Sequence, residues 1–250
     1  MKSNVLLLGG SGTLGTNIIK SKFFSKIRSP SKKTLNILNK KKIEKYLIKN
    51  KIDLVIHCAA LARVKECEKN KLKATKINIV GTQNIVNSIL KIYKKKKIKL
   101  VFMSSDAVYA SNGGNHKETD ILKPYNFYGF TKAVGEKIVQ KLKDFIIIRT
   151  RFFDKKKILF NYSARNIYTS SIEVEVLVKY IFKLIKFNYK GIVNVGAPKI
   201  SDYKNYKKYK KNLKACDKNK VFKEVDFKLA SNAALNMTKL KKILSKYDNS

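Results

Sequence analysis

The 250-residue sequence has no tryptophan, three prolines, three cysteines and two histidines. Cys58, Cys67 and Cys216 share no metal-type spacing, and with so few histidines no structural zinc site is expected. An odd, sparse cysteine count suits a reducing compartment, so the sequence reads as cytoplasmic. No apolar run approaches the roughly 20 residues that span a bilayer. The apolar residues 5–8 run straight into glycines, too soon for a secretory leader. Carboxylates are scarce as well: 17 Asp and Glu stand against 56 Lys and Arg, a formal charge of +39. That balance invites a nucleic-acid reading. Only Arg28, Arg63, Arg149, Arg151 and Arg165 are arginine, however, and readers of phosphates and bases lean on the bidentate arginine fork. A diffuse surplus of lysine, beside abundant asparagine and isoleucine, reads as a lysine-biased coding background. Neither nucleic acid nor membrane is therefore expected as a partner.

At 44% hydrophobic residues the chain can bury a full core. Short apolar runs at 4–8, 53–58, 99–104 and 145–149 read as buried strands. Helical patterns fall between them at 13–24, 41–49, 70–93 and 126–141, with Ser29-Pro30-Ser31 as a break and Lys94–Lys97 as the solvated end of the third helix. Strands alternating with helices predict an α/β fold, a doubly wound parallel sheet of Rossmann type. After Arg151 the pattern loosens to a helix at 173–187, a strand at 191–195, a lysine- and tyrosine-rich stretch at 202–220 and a helix at 238–247. The expected division is a cofactor-binding domain over 1–151 and a small substrate-binding region over 152–250, with segments free to return to the first domain. In 202–220, the spacing of Tyr203, Tyr206 and Tyr209 suits a helix face packed on the domain better than a platform for stacking bases.

Gly9, Gly12 and Gly15 sit between the first strand and the first helix. Such a loop turns tightly, lets the backbone approach a pyrophosphate and leaves N–H groups at the helix start to hold its charge. Gly9, Ser11, Gly12, Thr13, Leu14 and Gly15 are the expected cofactor residues. An acid about 20 residues past such a loop would hold the ribose hydroxyls of NAD. Here the first acid of the chain is Glu44, and the region offers Arg28, Lys32 and Lys33 instead. These cations favour the 2′-phosphate of NADP(H) over NAD(H).

Tyr128 and Lys132 lie four residues apart on an expected helix and so share a face. An ammonium beside a phenol favours the phenolate and lowers its pKa. Ser105 ends the third buried strand, where open α/β sheets bind ligands, and its hydroxyl can hold the substrate oxygen that Tyr128 protonates. Asp106 is placed to orient a substrate or cap a turn, Arg151 to meet a substrate phosphate, and Asn78 to pack, cap or join the site.

The glycine spacing resembles that of the extended short-chain dehydrogenase/reductase superfamily, and four further segments resemble it in order. Ser104-Ser105-Asp106-Ala107-Val108-Tyr109 is similar to its S-[ST]-x-x-V-[YF] segment. His57-Cys58-Ala59-Ala60 is similar to its fourth-strand ending, which places Ala59 and Ala60 at the cofactor. Residues 77–84 resemble its N-x-x-G-T-x-N helix, and residues 123–132 its P-x-x-x-Y-G-x-[ST]-K stretch. Within the superfamily, Ala107 stands where sugar-nucleotide 4,6-dehydratases carry Glu and GDP-fucose synthases Cys. The serine segment, residues 59–68, Arg149-Thr150 and residues 235–240 resemble the dTDP-4-dehydrorhamnose reductase family, with Ser105 where those enzymes usually carry Thr. The resemblance implies NADPH-dependent reduction of the C4 carbonyl of a nucleotide-linked 4-keto-6-deoxyhexose, with Ser105, Tyr128 and Lys132 as the catalytic trio. It also implies a homodimer as a common assembly. An epimerase sharing the trio and a non-catalytic, NADP-binding regulatory subunit are the alternatives.

Overall fold

The computed structural model describes residues 3–93, 96–109 and 113–248. Its frame is a parallel sheet of six strands: β1 (Asn4–Leu8), β2 (Lys26–Arg28), β3 (Leu54–His57), β4 (Lys99–Met103), β5 (Phe145–Thr150) and β6 (Gly191–Val195). They lie side by side as β6-β5-β4-β3-β1-β2. Alternation along each strand feeds two cores. Val5, Leu7, Ile146 and Ile148 point to one face, and Leu6, Leu8 and Ile147 to the other. A parallel sheet needs both faces covered. On the first face lie α1 (Thr13–Lys20), α5 (Val174–Lys186) and α6 (Thr238–Asp248). On the second lie α2 (Lys40–Lys49), α3 (Gly81–Ile92) and α4 (Phe127–Val139).

The order places the site. From β1 the chain steps outward to β2 and then returns to form β3 on the opposite side of β1. The reversal opens a crevice at the carboxyl ends of β1 and β3, where ligands of such sheets bind. Beyond β5, three small pairs form: Phe152–Phe153 with Ile172–Glu173, Tyr162–Ala164 with Lys214–Cys216, and Tyr168–Thr169 with Ile200–Ser201. Strand β6, in the later part of the chain, pairs with β5 of the earlier part. Among the described residues no helix is long and apolar enough to cross a membrane.

Several elements differ from the sequence reading. β2 had no apolar run to announce it, because it is a three-residue edge strand with its outer residues exposed. Helix α1 stops at Lys20 rather than 24: Lys22 takes a φ of 56°, and Phe23 turns away to stack on Phe182. The helix expected over 70–93 runs from Lys71 to Ile92 as Lys71–Ala74, a π-helical turn Thr75–Val80 and α3, and a separate short helix, Val64–Lys69, precedes it. Asn70 makes the break between them, since its backbone is extended at φ −134° and its side chain accepts from Lys73 N. Of the lysine run, Lys94 and Lys95 lie outside the described residues. Lys96 is engaged, with its ammonium 2.8 Å from Asp53 and donating to Lys51 O at 2.6 Å. In the 202–220 stretch, Tyr206 packs edge-on against Phe153 and Phe160, and Tyr209 against Phe153.

Candidate active site

The glycine loop is shaped partly by the chain and partly for something else. Gly9 has a φ of +89°, and a Cβ there would come within 2.6 Å of Ala59 N. A Cβ on Gly15 would fall 2.3 Å from Gly9 O, so only glycine lets α1 sit this close to the loop. Gly12 has no such constraint: its φ is −76°, and an added Cβ would meet only Gly9 O, at 3.4 Å. Glycine at 12 leaves room for an approaching ligand rather than for the protein. The start of α1 carries neither a side-chain cap nor an acid in its first turn, so its N–H groups and dipole suit a pyrophosphate. Accordingly, Gly15→Ala should lower Tm by several degrees and weaken dinucleotide binding. Gly12→Ala should leave Tm within about a degree and weaken binding alone. Thermal melts with and without NADPH check both.

A cavity of about 590 Å³ opens beside the loop, in the crevice between β1 and β3. Gly9, Ser11, Gly12, Ala59 and Ala60 line it, as expected of cofactor residues. Leu14 is instead buried in the first core, and Thr13 lines a smaller neighbouring pocket with Phe152 and Lys157. The three candidate cations separate. Lys32 is on the cavity wall. Arg28 is not, and its Nε donates to Asn50 Oδ1 at 3.0 Å. Lys33 is also off the wall. Ser29, Asn36 and Ile37 line the cavity without having been anticipated. Their signal was position: they follow the carboxyl end of an edge strand too short to read. Backbone donors, apolar walls and one lysine fit the adenosine diphosphate half of a nicotinamide dinucleotide.

The start of α4 is fixed at three points. Asn126 Oδ1 accepts from Gly129 N at 2.9 Å, Glu68 Oε1 accepts from Phe127 N at 2.6 Å, and a Cβ on Gly129 would meet Ala107 O at 2.1 Å. Glycine after Tyr128 thus lets the helix rest on the turn Asp106–Val108 that follows β4. This contact sets the Tyr128 phenol beside the Ser105 hydroxyl, which is among the groups that act on it. Ser105 Oγ also accepts from Ala107 N at 3.1 Å and donates to Asp106 Oδ1 at 3.1 Å. Asn78, in the π-helical turn, accepts from Leu61 N at 2.8 Å and donates to Leu61 O and Thr131 Oγ1, both at 3.0 Å. It clamps the loop carrying Ala59 and Ala60 to the helix carrying Tyr128 and Lys132.

The electrostatics correct one expectation. Burial, and next the carboxylate of Asp106, push the Tyr128 phenol well above its ordinary range. Lys132 is not among the groups acting on it. Its ammonium lies over the Phe102 ring, 4.2 Å from the centroid, near Cys58, Glu136 and Cys67. Burial pulls Lys132 down to about 8. The phenol is therefore a firm proton holder at neutral pH, as a donor must be. Arg151, expected at a substrate phosphate, instead pairs with Asp106, Nε to Oδ2 at 2.6 Å. Behind the site lies a network the sequence reading missed. Arg149 donates to both oxygens of Glu136 and to the Tyr109 hydroxyl, and Ser104 donates to Glu136. Glu136 stands four residues past Lys132, a helical spacing that could have flagged it.

The sequence model of the RmlD substrate-binding domain family matches residues 1–176. The dTDP-D-glucose 4,6-dehydratase of Dictyostelium discoideum is 38% identical over 117 residues, which are 42% of this chain and 26% of that protein. Among solved structures, a hypothetical dTDP-4-dehydrorhamnose reductase from Sulfolobus tokodaii superposes with a TM-score of 0.83 at 27% identity, over 98% of this chain and 95% of that one. The dTDP-4-dehydrorhamnose reductase of Bacillus anthracis, in complex with NADP, superposes at 0.83 with 22% identity, over 97% and 92%, a likeness of fold. Matches to the curated relatives span 26% to 52% of those proteins' own lengths.

Proposed function

The chain belongs to the RmlD substrate-binding domain family, and from that membership we propose that it is an NADPH-dependent reductase of the C4 carbonyl of a nucleotide-linked 4-keto-6-deoxyhexose. The observation that carries the proposal is the placing of Tyr128 beside Ser105 at the carboxyl end of β4, with Lys132 one turn further along α4 and a cavity for the adenosine diphosphate half of a dinucleotide at the glycine loop. The names of the two superposed structures support the substrate class, and the NADP held by one of them supports the cofactor.

A reduced nicotinamide bound here supplies two electrons and a hydrogen to the carbonyl carbon. The protein's residues do the rest. Gly9, Ser11 and Gly12 seat the pyrophosphate, and Ala59 and Ala60 wall the cavity. Ser105 turns its hydroxyl from Asp106 to the carbonyl oxygen, and Tyr128 Oη gives that oxygen its proton as negative charge develops there. Lys132, buried one turn further along α4, anchors the ribose hydroxyls of the bound dinucleotide. Residues 152–250 supply the sugar and nucleotide contacts, in a cytoplasmic enzyme.

Lys32 on the cavity wall, with no acid before Glu44, favours NADP(H) over NAD(H). Lys32→Ala should raise the KM for NADPH by about tenfold, the loss of one charge-assisted contact, and leave the KM for NADH unchanged. Arg28→Ala, whose guanidinium bonds Asn50, should change neither by more than about twofold. Equal effects of Lys32→Ala on both cofactors would remove this assignment. The reaction itself is tested by incubating the protein with NADPH and dTDP- or UDP-linked 4-keto-6-deoxy sugars. A reductase consumes NADPH mole for mole with the sugar alcohol formed. An epimerase inverts the sugar and leaves the cofactor pool unchanged.

A further inference from the structure

We propose that Arg151 is a positioning residue: paired with Asp106, it holds the Ser105 hydroxyl in place beside Tyr128. The proposal rests on the reading of Ser105 and Tyr128 as the reacting pair.

The geometry fixes the direction of the Ser105 bonds. A serine hydroxyl has one proton and two lone pairs. The Ser105 proton goes to Asp106 Oδ1, because a carboxylate can only accept, and one lone pair takes Ala107 N–H. Asp106 thus sets which way the Ser105 hydroxyl points beside Tyr128. Asp106 is itself only 2% exposed, and a carboxylate so buried requires a partner. Arg151 is that partner, at 2.6 Å on the second oxygen. Without it, Asp106 would turn toward water or take a proton, and Ser105 would lose its orientation.

The other side of Arg151 faces the later part of the chain. Asp202 and Tyr206, both in the helix Asp202–Lys207, act on the guanidinium. Asp202 is held in turn by Thr169 Oγ1 at 2.9 Å. Arg151 lies one residue past the end of β5 and so joins carboxylates from two regions that are distant in sequence. The other groups facing Tyr128 are the Cys67 thiol, which burial pushes up to about 11, and Lys132 on its own helix, which lies over Phe102 instead. Neither of them contacts Ser105 Oγ.

The test uses the full chain, with ¹³Cζ-tyrosine labelling to read the hydrogen bonding of the Tyr128 hydroxyl at neutral pH without turnover. The Tyr128→Phe protein identifies the signal. Arg151→Met should displace the Tyr128 signal, leave most other tyrosine signals in place, and lower kcat by roughly ten- to a hundredfold. The Kd for NADPH should stay within about twofold. Arg151→Lys should recover part of both effects. If Arg151→Met fails to fold for want of a partner for Asp106, the double variant Asp106→Asn/Arg151→Met, which buries no charge, should fold and show the same displaced signal. An unmoved Tyr128 signal in a folded variant overturns the proposal. So does a raised KM for the nucleotide sugar with kcat unchanged, which would make Arg151 a substrate contact. If the wild-type protein turns over no 4-keto sugar while Arg151→Met displaces the signal, the proposed reaction fails and the positioning role stands.

Discussion

Tyr128→Phe should reduce turnover by at least about a thousandfold, toward the upper end of what a positioned general acid contributes, while NADPH binding changes by less than about twofold. The substitution removes one oxygen. The aromatic ring keeps its place against the turn after β4, and the points that fix the start of α4 are contributed by Asn126, Glu68 and Gly129. The cavity that fits the adenosine diphosphate half of a dinucleotide does not include Tyr128 among its walls. What is lost is the phenol beside Ser105. The variant has no hydroxyl there to titrate, so no change of pH in the neutral range should rescue it. Steady-state kinetics and fluorescence titration with NADPH check the two halves. Normal turnover by Tyr128→Phe would remove the phenol from the chemistry.

Glu136→Ala should have the largest effect on stability, a loss of about 3–5 kcal/mol, the cost of breaking a buried ion pair from one side. Glu136 is fully buried, and Arg149 is 2% exposed. Glu136 receives Arg149 Nε at 3.0 Å and Nη2 at 2.7 Å, and also the Ser104 hydroxyl. Removing the carboxylate leaves a guanidinium and a serine without their acceptor in a region water does not reach. The guanidinium would retain only the Tyr109 hydroxyl and the Glu118 carbonyl. Ser104 adjoins Ser105, and Glu136 is one of the groups that hold Lys132 charged, so the loss should also reach the active site. Urea unfolding should show a lower midpoint with an unchanged slope, and Tm should fall by on the order of 10 °C. Glu136→Gln keeps an acceptor and should lose less than half as much. A midpoint shift below about 1 kcal/mol for Glu136→Ala would show that the network relaxes around the gap.

Residues that act through neighbours in sequence were legible before the fold was known. The apolar runs of β1, β3, β4 and β5 announced the sheet, and the glycines at 9, 12 and 15 announced the loop. The spacing of Tyr128 and Lys132, with Ser105 at a strand end, gave the site its core. What escaped depends on partners far away in the chain. Lys32, not Arg28, reaches the cavity, because Asn50 lies within reach of Arg28. Arg151 turns to Asp106, 45 residues earlier, and no local pattern connects them. Shared helical spacing brings Lys132 and Tyr128 to one face, but no local pattern announces that the Lys132 ammonium lies over Phe102. The π-helical turn at Thr75–Val80 was invisible as well, since apolar residues continue through it at nearly helical spacing.

The most direct measurement follows the fate of hydrogen. NADPH carrying deuterium at both C4 positions of the nicotinamide is incubated with the protein and a dTDP-linked 4-keto-6-deoxy sugar, and the sugar product is read by NMR. The account predicts one deuterium at C4 of the sugar for each NADPH consumed, and none with Tyr128→Phe. An unchanged sugar, or an inverted one with all deuterium still on the cofactor, would contradict it.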